Sequence, residues 1–571
     1  MEKLLSTRDI TKDRVRFDSK KLVLGIMTFT LSMFLIVPLG YLFIQAFMNS
    51  DGEFVGLANF YQYINSPALL TSLGNTIFVS LTSTVIATVL AMIYAYGLRR
   101  ANVPFKGFFR MIAMLPLFAP TMMHGIGLVY LFGNKGIVTE GLGINIPLYG
   151  AVGIIMAQVI YVFPQIFLMI DVALSSTDYR LYEASKSMGV SKVREFLNIT
   201  IPSVKYALIS AFFVAFTLCF TDFGAPKVVG GNFNVLSIDV YKQIIGQQNM
   251  PMGATVGILL IIPAVITFIV TQRVKKKQNS YINAKSLPYV IKKNKKRDRV
   301  LSGFIFLIGG SIVAVLLTVI VGSLVSIWPY DFSLTLEHYS MKNSLDGLKP
   351  FFNSILMSVL TAAIGTTFVF IFAYIVEKVQ GCNILKGLAN FLSVLPMALP
   401  GLVLGISYVM FFNTPEFNID NKVYILNYFN VFYGSIFLMV FCNIVHFFSV
   451  TFITATTAIK KIDKELDLVA KSLGVKGMSI FKNVTLPLCL PAVLENFMYL
   501  FLNSMVTVSA LIFLYTANLK VASISIVQLE DKGSVAEAAA LAVMLLLTNL
   551  VVKVIYELVK KKINSKNKIS I

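Results

Sequence analysis

Five ionisable side chains sit inside or at the edges of long apolar runs: Asp171, Asp222, Glu495, His124 and His446. Holding a charge in hydrocarbon is costly, so each is a candidate for function. Their spacing assembles no reaction. His124 and His446 stand alone in different halves of the chain, and no clustered nucleophile or acid–base pair is visible in the runs. The four cysteines, Cys219, Cys382, Cys442 and Cys489, lack metal-ligand spacing and read as free thiols; no metal site is expected. A phosphate-cradling G-x-x-x-x-G-K-[ST] loop is missing, so any nucleotide chemistry must come from another chain. A denser signal is "CFTDFGAPKVVGGNFNVLSIDVYKQIIGQQNMPMG" at 219–253. Here Asp222 and Lys227 stand among Gly224, Pro226, Gly230 and Gly231. Irregular backbone with open amides beside a lysine can accept an oxyanion. The same residues also suit a structured external loop that receives a partner protein. Asp222, Lys227, Gly230, Gly231, His124 and Asn503 are therefore the pathway candidates.

The elements that must position these residues are membrane spans. Hydrophobic residues make up 56% of the 571 and charged ones 13%, and the mean hydropathy is +0.77. No soluble domain of this length has that balance. Runs long enough to cross a bilayer fall near 22–47, 71–97, 107–132, 149–174, 204–222, 252–272, 302–328, 354–376, 387–412, 433–455, 490–514 and 535–559. The fold expected is an all-α polytopic membrane protein of about twelve transmembrane helices. The first run follows a charged segment and has no small-residue cleavage site, so it is expected to remain as a span.

The net charge of +21 sorts to one side. With the N-terminus in the cytoplasm, inside segments hold 41 of the 49 Lys and Arg residues, and the stretch 273–299 alone holds 11. That bias sets the orientation, with both termini cytoplasmic, and ties the charge to the lipid bilayer rather than to nucleic acid. The basic stretch reads as a solvated tether beside anionic lipid, with a docking or regulatory role as the alternative.

The chain is written twice. "NTIFVSLTSTVIATVLAMIYAYGL" from Asn75 matches "NSILMSVLTAAIGTTFVFIFAYIV" from Asn353, and "MLPLFAPTMMHGIG" matches "VLPMALPGLVLGIS". Six spans per half is an even number, so the repeats run parallel, with a pathway at their interface. The organisation expected is a segment 1–21, a first repeat 22–272, a linker 273–300, a second repeat 301–560 and a tail 561–571. Pro116/Pro120 and Pro396/Pro400 should bend the third run of each half, either as packing kinks or as a bend that helps gate the pathway.

Between the fourth and fifth runs of each half lies a polar motif, "YEASKSMGV" at 182–190 and "DLVAKSLGV" at 467–475. A proline follows each glycine by thirteen residues, Pro202 after Gly189 and Pro487 after Gly474. Asp178 and Asp463 stand where they can cap a short helix, and each glycine can supply a left-handed C-terminal residue. A loop returning straight to the bilayer would need none of this, so each motif reads as a docking element.

This pattern resembles the signature of permease subunits of binding-protein-dependent ABC importers, over nearly the whole chain. The resemblance implies the type I importer permease fold, with both loops seated on a cytoplasmic dimer of ABC ATPase subunits that bring the ATP and Mg, and an external binding protein that delivers cargo. Glu183, Ala184, Ser185 and Gly189 occupy the signature in the first copy. In the second, Leu468 replaces the acid, leaving Val469, Ala470 and Gly474, with Asp467 as a partial substitute. The two docks should be unequal. Segment 219–253 is similar to that of fused permeases for ferric iron, thiamine and 2-aminoethylphosphonate, the phosphonate type most of all. No Tyr, His and carboxylate cluster that would demand iron is visible. An ion-coupled carrier is the competing class, opposed by the twin motifs and the missing charge relay; a membrane enzyme lacks a catalytic cluster.

Overall fold

The computed structural model describes residues 19–278, 287–342, 346–379, 381–419, 422–473, 475 and 477–569. The first repeat contains α1 (Ser19–Gln45), α2 (Pro67–Arg100), α3 (Lys106–Met114), α4 (Thr121–Phe132), α5 (Ala151–Ser175), α6 (Tyr179–Ser187), α7 (Ile201–Phe220), α8 (Gly224–Val229) and α9 (Met250–Gln278). The second contains α10 (Lys295–Leu324), α11 (Lys349–Lys378), α12 (Asn383–Val394), α13 (Gly401–Phe412), α14 (Ile436–Lys460), α15 (Lys464–Ser472), α16 (Leu490–Val506), α17 (Ala522–Asp531) and α18 (Val535–Ile569). Two antiparallel hairpins, β1 (Val325–Ile327) with β2 (Asp331–Leu334) and β3 (Glu416–Ile419) with β4 (Lys422–Leu426), depart from the all-helical expectation.

Among the described residues nine helices are long and apolar enough to cross a membrane, and three bent pairs bring the total to twelve. Two of the bent pairs fall at the proline pairs. Lys106–Phe118 meets Thr121–Leu142 at 106°, and Asn383–Ala398 meets Gly401–Phe412 at 110°. Pro116 and Pro396 open 3-10 turns, while Pro120 and Pro400 are extended N-caps of α4 and α13. Proline lacks the N–H that would continue the preceding helix, so the chain turns sharply instead of kinking. The third bend, 73° between Gly477–Leu488 and Leu490–Val506, was not expected. α16 also stops at Val506, well short of the run 490–514.

The repeats agree in detail. The Asn75 amide donates to Asn234 O at 3.0 Å, and Asn353 to Lys520 O at 2.9 Å. The next hydroxyls, of Thr76 and Ser354, accept from Leu236 N and Ala522 N. Each first helix nonetheless packs on the other repeat. α1 lies against α13, where the Tyr408 hydroxyl donates to Phe34 O at 2.6 Å, and α10 lies against α4 and α2. The second repeat is thus strapped onto the first by α10, and the first onto the second by α1.

Candidate functional site

Both polar motifs fold as capped helices. The Asp178 carboxylate accepts from Arg180 N at 3.0 Å, and Asp463 accepts from Glu465 N at 3.0 Å. Gly189 has φ +69°, and Val190 N reaches back to Ser185 O at 3.1 Å, closing a C-terminal hairpin of the backbone. Val475 N makes the same bond to Ala470 O at 3.0 Å. Gly474 and the Asp467 side chain lie outside the described residues. On α6, Tyr179, Tyr182 and Ser185 are buried, whereas Glu183 and Ala184 are exposed. The exposed side therefore carries the acid and the small residue, with Leu181 and Met188 beside them. A Cβ at Gly189 would meet nothing within 4 Å, so only the backbone conformation requires glycine there. Gly189→Val should cost about 1–2 kcal/mol locally and lower transport per ATP, with Gly189→Asn nearly silent. Equal loss in both variants, measured in proteoliposomes, would contradict this.

Pro202 and Pro487 do not restart a separate helix. Each follows a π-helical turn, Phe196–Thr200 and Phe481–Thr485, that widens the backbone where the proline removes a donor. In the first copy the helix then runs on without a break from Lys192 to Phe220.

α6 is seated by Arg100, the last residue of α2 and only 2% exposed. Its guanidinium donates to Leu174 O at 3.1 Å and to the Thr177 hydroxyl, and lies 5.1 Å from the Tyr182 ring. Neighbouring Arg99 holds Asp171 through two bonds of 2.5 and 2.6 Å, with Arg110 at 3.3 Å. Asp171 is thus a clamp joining α2, α3 and α5. Glu495 is exposed and borders a cavity beneath α15.

The pathway candidates separate. On α5 the Gln158 amide takes a bond from Ser83 and donates to Cys219 O, both at 2.9 Å, fixing the end of α7. One turn further along α5 stands Tyr161, and Asp222 follows the end of α7. Asp222 is 7% exposed; one carboxylate oxygen accepts from Gly224 N at 3.1 Å and the other has no hydrogen-bond partner. Asn503 donates to Tyr499 O at 2.8 Å, one turn along α16. His446 stands at Tyr161's place in the second repeat, with the 285-residue offset that separates the two motif glycines. Gln158 was missed in the sequence, since an amide carries no charge signal and its partners Ser83 and Cys219 are far from it in the chain. His124 is fully buried, with neither ring nitrogen hydrogen-bonded.

The oxyanion entrance is largely filled by the chain itself. Lys227 Nζ lies 2.7 Å from the Asp531 carboxylate at the end of α17, an ion pair between repeats. The amides of Gly224 and Gly230 are spent on Asp222 and on Pro226 O. Gly230 and Gly231 form a turn against Tyr149, where a Cβ on Gly230 would sit 2.2 Å from Pro226 O. These glycines permit close packing. Burial, with Asp531 beside it, pushes Glu530 up to about 7, partly offset by Lys227.

The family model for "Binding-protein-dependent transport system inner membrane component" matches residues 85–280 and 382–565, about two thirds of the chain in two copies. The chain belongs to this family. As a permease it is similar to the ferric transport system permease protein FbpB of Actinobacillus pleuropneumoniae, 27% identical over 92% of this chain and 76% of that protein. It is similar to the putative ferric transport system permease protein FbpB 1 of Haemophilus influenzae, 26% identical over 90% and 82%. The Escherichia coli sulfate transport system permease protein CysW is 22% identical over 43% of this chain and 85% of its own length. The two motif helices and the parallel repeats are thus features of an importer permease, and the ion-coupled carrier is set aside.

Proposed function

We propose that this permease forms the translocation pathway of an ATP-driven importer for ferric iron. An external binding protein delivers the ion, and an ATPase pair docks on α6 and α15 at the cytoplasmic face. The observation that carries the choice of cargo is the extent of the likeness: both ferric relatives match nine-tenths of the chain, while the sulfate relative matches less than half. The site chemistry agrees. The cation that favoured an anion is already paired with Asp531. Asp222, buried and with one carboxylate oxygen left without a hydrogen-bond partner, offers a hard oxygen donor of the kind that suits a trivalent cation. Among the described residues no three His, Cys, Asp or Glu side chains form a cage.

An oxyanion such as 2-aminoethylphosphonate is the second reading, favoured by the sulfate relative. Proteoliposomes holding this chain, its ATPase and its binding protein decide between them. The expected result is ATP-dependent ferric uptake, cut about tenfold in Asp222→Asn, with binding-protein affinity unchanged. Uptake of the phosphonate and not of iron would replace the ferric reading.

A further inference from the structure

The basic linker is not wholly a solvated tether. Between α9 and α10 its described residues 287–294 form no helix or strand and lie against α6. Tyr179 N donates to Leu287 O at 3.0 Å. Leu287 N in turn reaches Asp178, the residue that caps α6, at 3.4 Å. Tyr289 then wedges edge-to-face against Tyr179 and Tyr182, with ring centroids 5.3 and 5.0 Å away. The Arg100 guanidinium lies 4.0 Å from the Tyr289 ring centre. At its far end the strap is held by Arg297, which donates to Lys292 O at 2.7 Å, and by Asn294, which caps α10. The strap is therefore pinned to α6 on one side and to α10 on the other.

Its outer surface continues that of α6. Lys292 and Lys293 are exposed, and Lys292 lies beside Glu183 and Lys186. Val290, 55% exposed, stands on the same segment. On this exposed side Glu183 stands among Arg180, Lys186, Lys292 and Lys293, with the exposed apolar residues Leu181 and Met188 beside them.

Resting on the importer reading, we infer that the strap is part of the first ATPase docking site. Tyr289 holds α6 in its seat, and Lys292 and Lys293 meet acidic residues on the rim of the ATPase groove that receives α6. A nucleotide-driven movement of the groove is then resisted by α6, strap and α10 together, so it reaches both repeats at once.

The test uses the full chain with its ATPase and binding protein. A photo-crosslinking p-benzoylphenylalanine at Val290 should capture the ATPase, as the same probe at Met188 does. Lys292→Glu/Lys293→Glu should weaken ATPase association several-fold at low salt, with the difference shrinking at high salt. Tyr289→Ala should lower transport per ATP several-fold with the ATPase still bound, and Tyr289→Phe should restore it, because the ring rather than the hydroxyl fills the wedge. Capture at 188 with only lipid captured at 290 would overturn the docking role and leave the importer reading standing. No ATPase capture at either position would overturn the importer reading itself.

Discussion

Gly127→Val should loosen the assembly of the two repeats more than any change in the loops. Gly127 lies where α4 crosses α10, and a Cβ there would sit 2.6 Å from Val315 O and 2.7 Å from its Cγ1. The opposing surface includes backbone, so no rotamer change relieves the clash. The notch is reciprocal, because a Cβ on Gly322 of α10 would fall 2.5 Å from the Tyr130 ring, one turn along α4. In lipid, helices associate through close packing rather than through a hydrophobic drive, so such notches carry much of the contact. Overpacking costs about 1–3 kcal/mol in a core that can adjust, and here the whole of α10 must retreat. The expected result is a clearly lower unfolding midpoint in detergent and loss of uptake. Gly310→Val is the control: it lies on α10, the other helix of the crossing, and a Cβ there meets nothing within 4 Å. If Gly310→Val is as damaging as Gly127→Val, helix propensity is responsible and the crossing is not.

That crossing shows where reading the sequence stopped. Hydropathy reports which stretches prefer lipid, and it located the spans; it is blind to which repeat a helix leans on, so the exchange of α1 and α10 was not visible. Local chemistry travelled better. Asp178 caps α6 and Gly189 turns left-handed because both effects act within a few residues. The match of Asn75 with Asn353 was legible as a pattern, while its cause, an amide holding the returning loop of each repeat, needed the fold. Lys227 was legible as a lysine among glycines, but its ion pair was not, because its partner Asp531 lies in the other repeat. Tyr289 was hidden in a lysine-rich stretch whose composition spoke for solvent. In each failure the deciding contact is distant in sequence, and charge or burial at one residue says nothing of what the fold brings to it.

Arg100→Met should uncouple transport from ATP hydrolysis while leaving the protein in the membrane and folded. The arginine ties four segments together: α2, which bears it; the Leu174 carbonyl and Thr177 hydroxyl that end α5; Tyr182 of α6; and Tyr289 of the strap. Hydrogen bonds from a charged donor contribute about 1.5–3 kcal/mol, and a desolvated cation over a ring about 2 kcal/mol. Against this, burying the guanidinium is itself costly, and methionine removes that cost. The Leu174 carbonyl also keeps the Thr177 hydroxyl as a partner at 2.9 Å, so no acceptor is orphaned. Global stability should therefore fall only modestly, while α6 loses its rigid seat. Transport per ATP should drop about tenfold, roughly 1.4 kcal/mol of lost coupling. Arg100→Lys should not rescue it, since an ammonium cannot both reach Thr177 and Leu174 and lie flat on Tyr289. Lys378 holds the corresponding position in the second repeat, and Lys378→Met should be milder because no planar fork is lost there. Coupling and ATPase rates measured together in the three variants decide the matter: a wild-type ratio in Arg100→Lys would mean that charge alone seats α6 and that the stacked geometry is incidental.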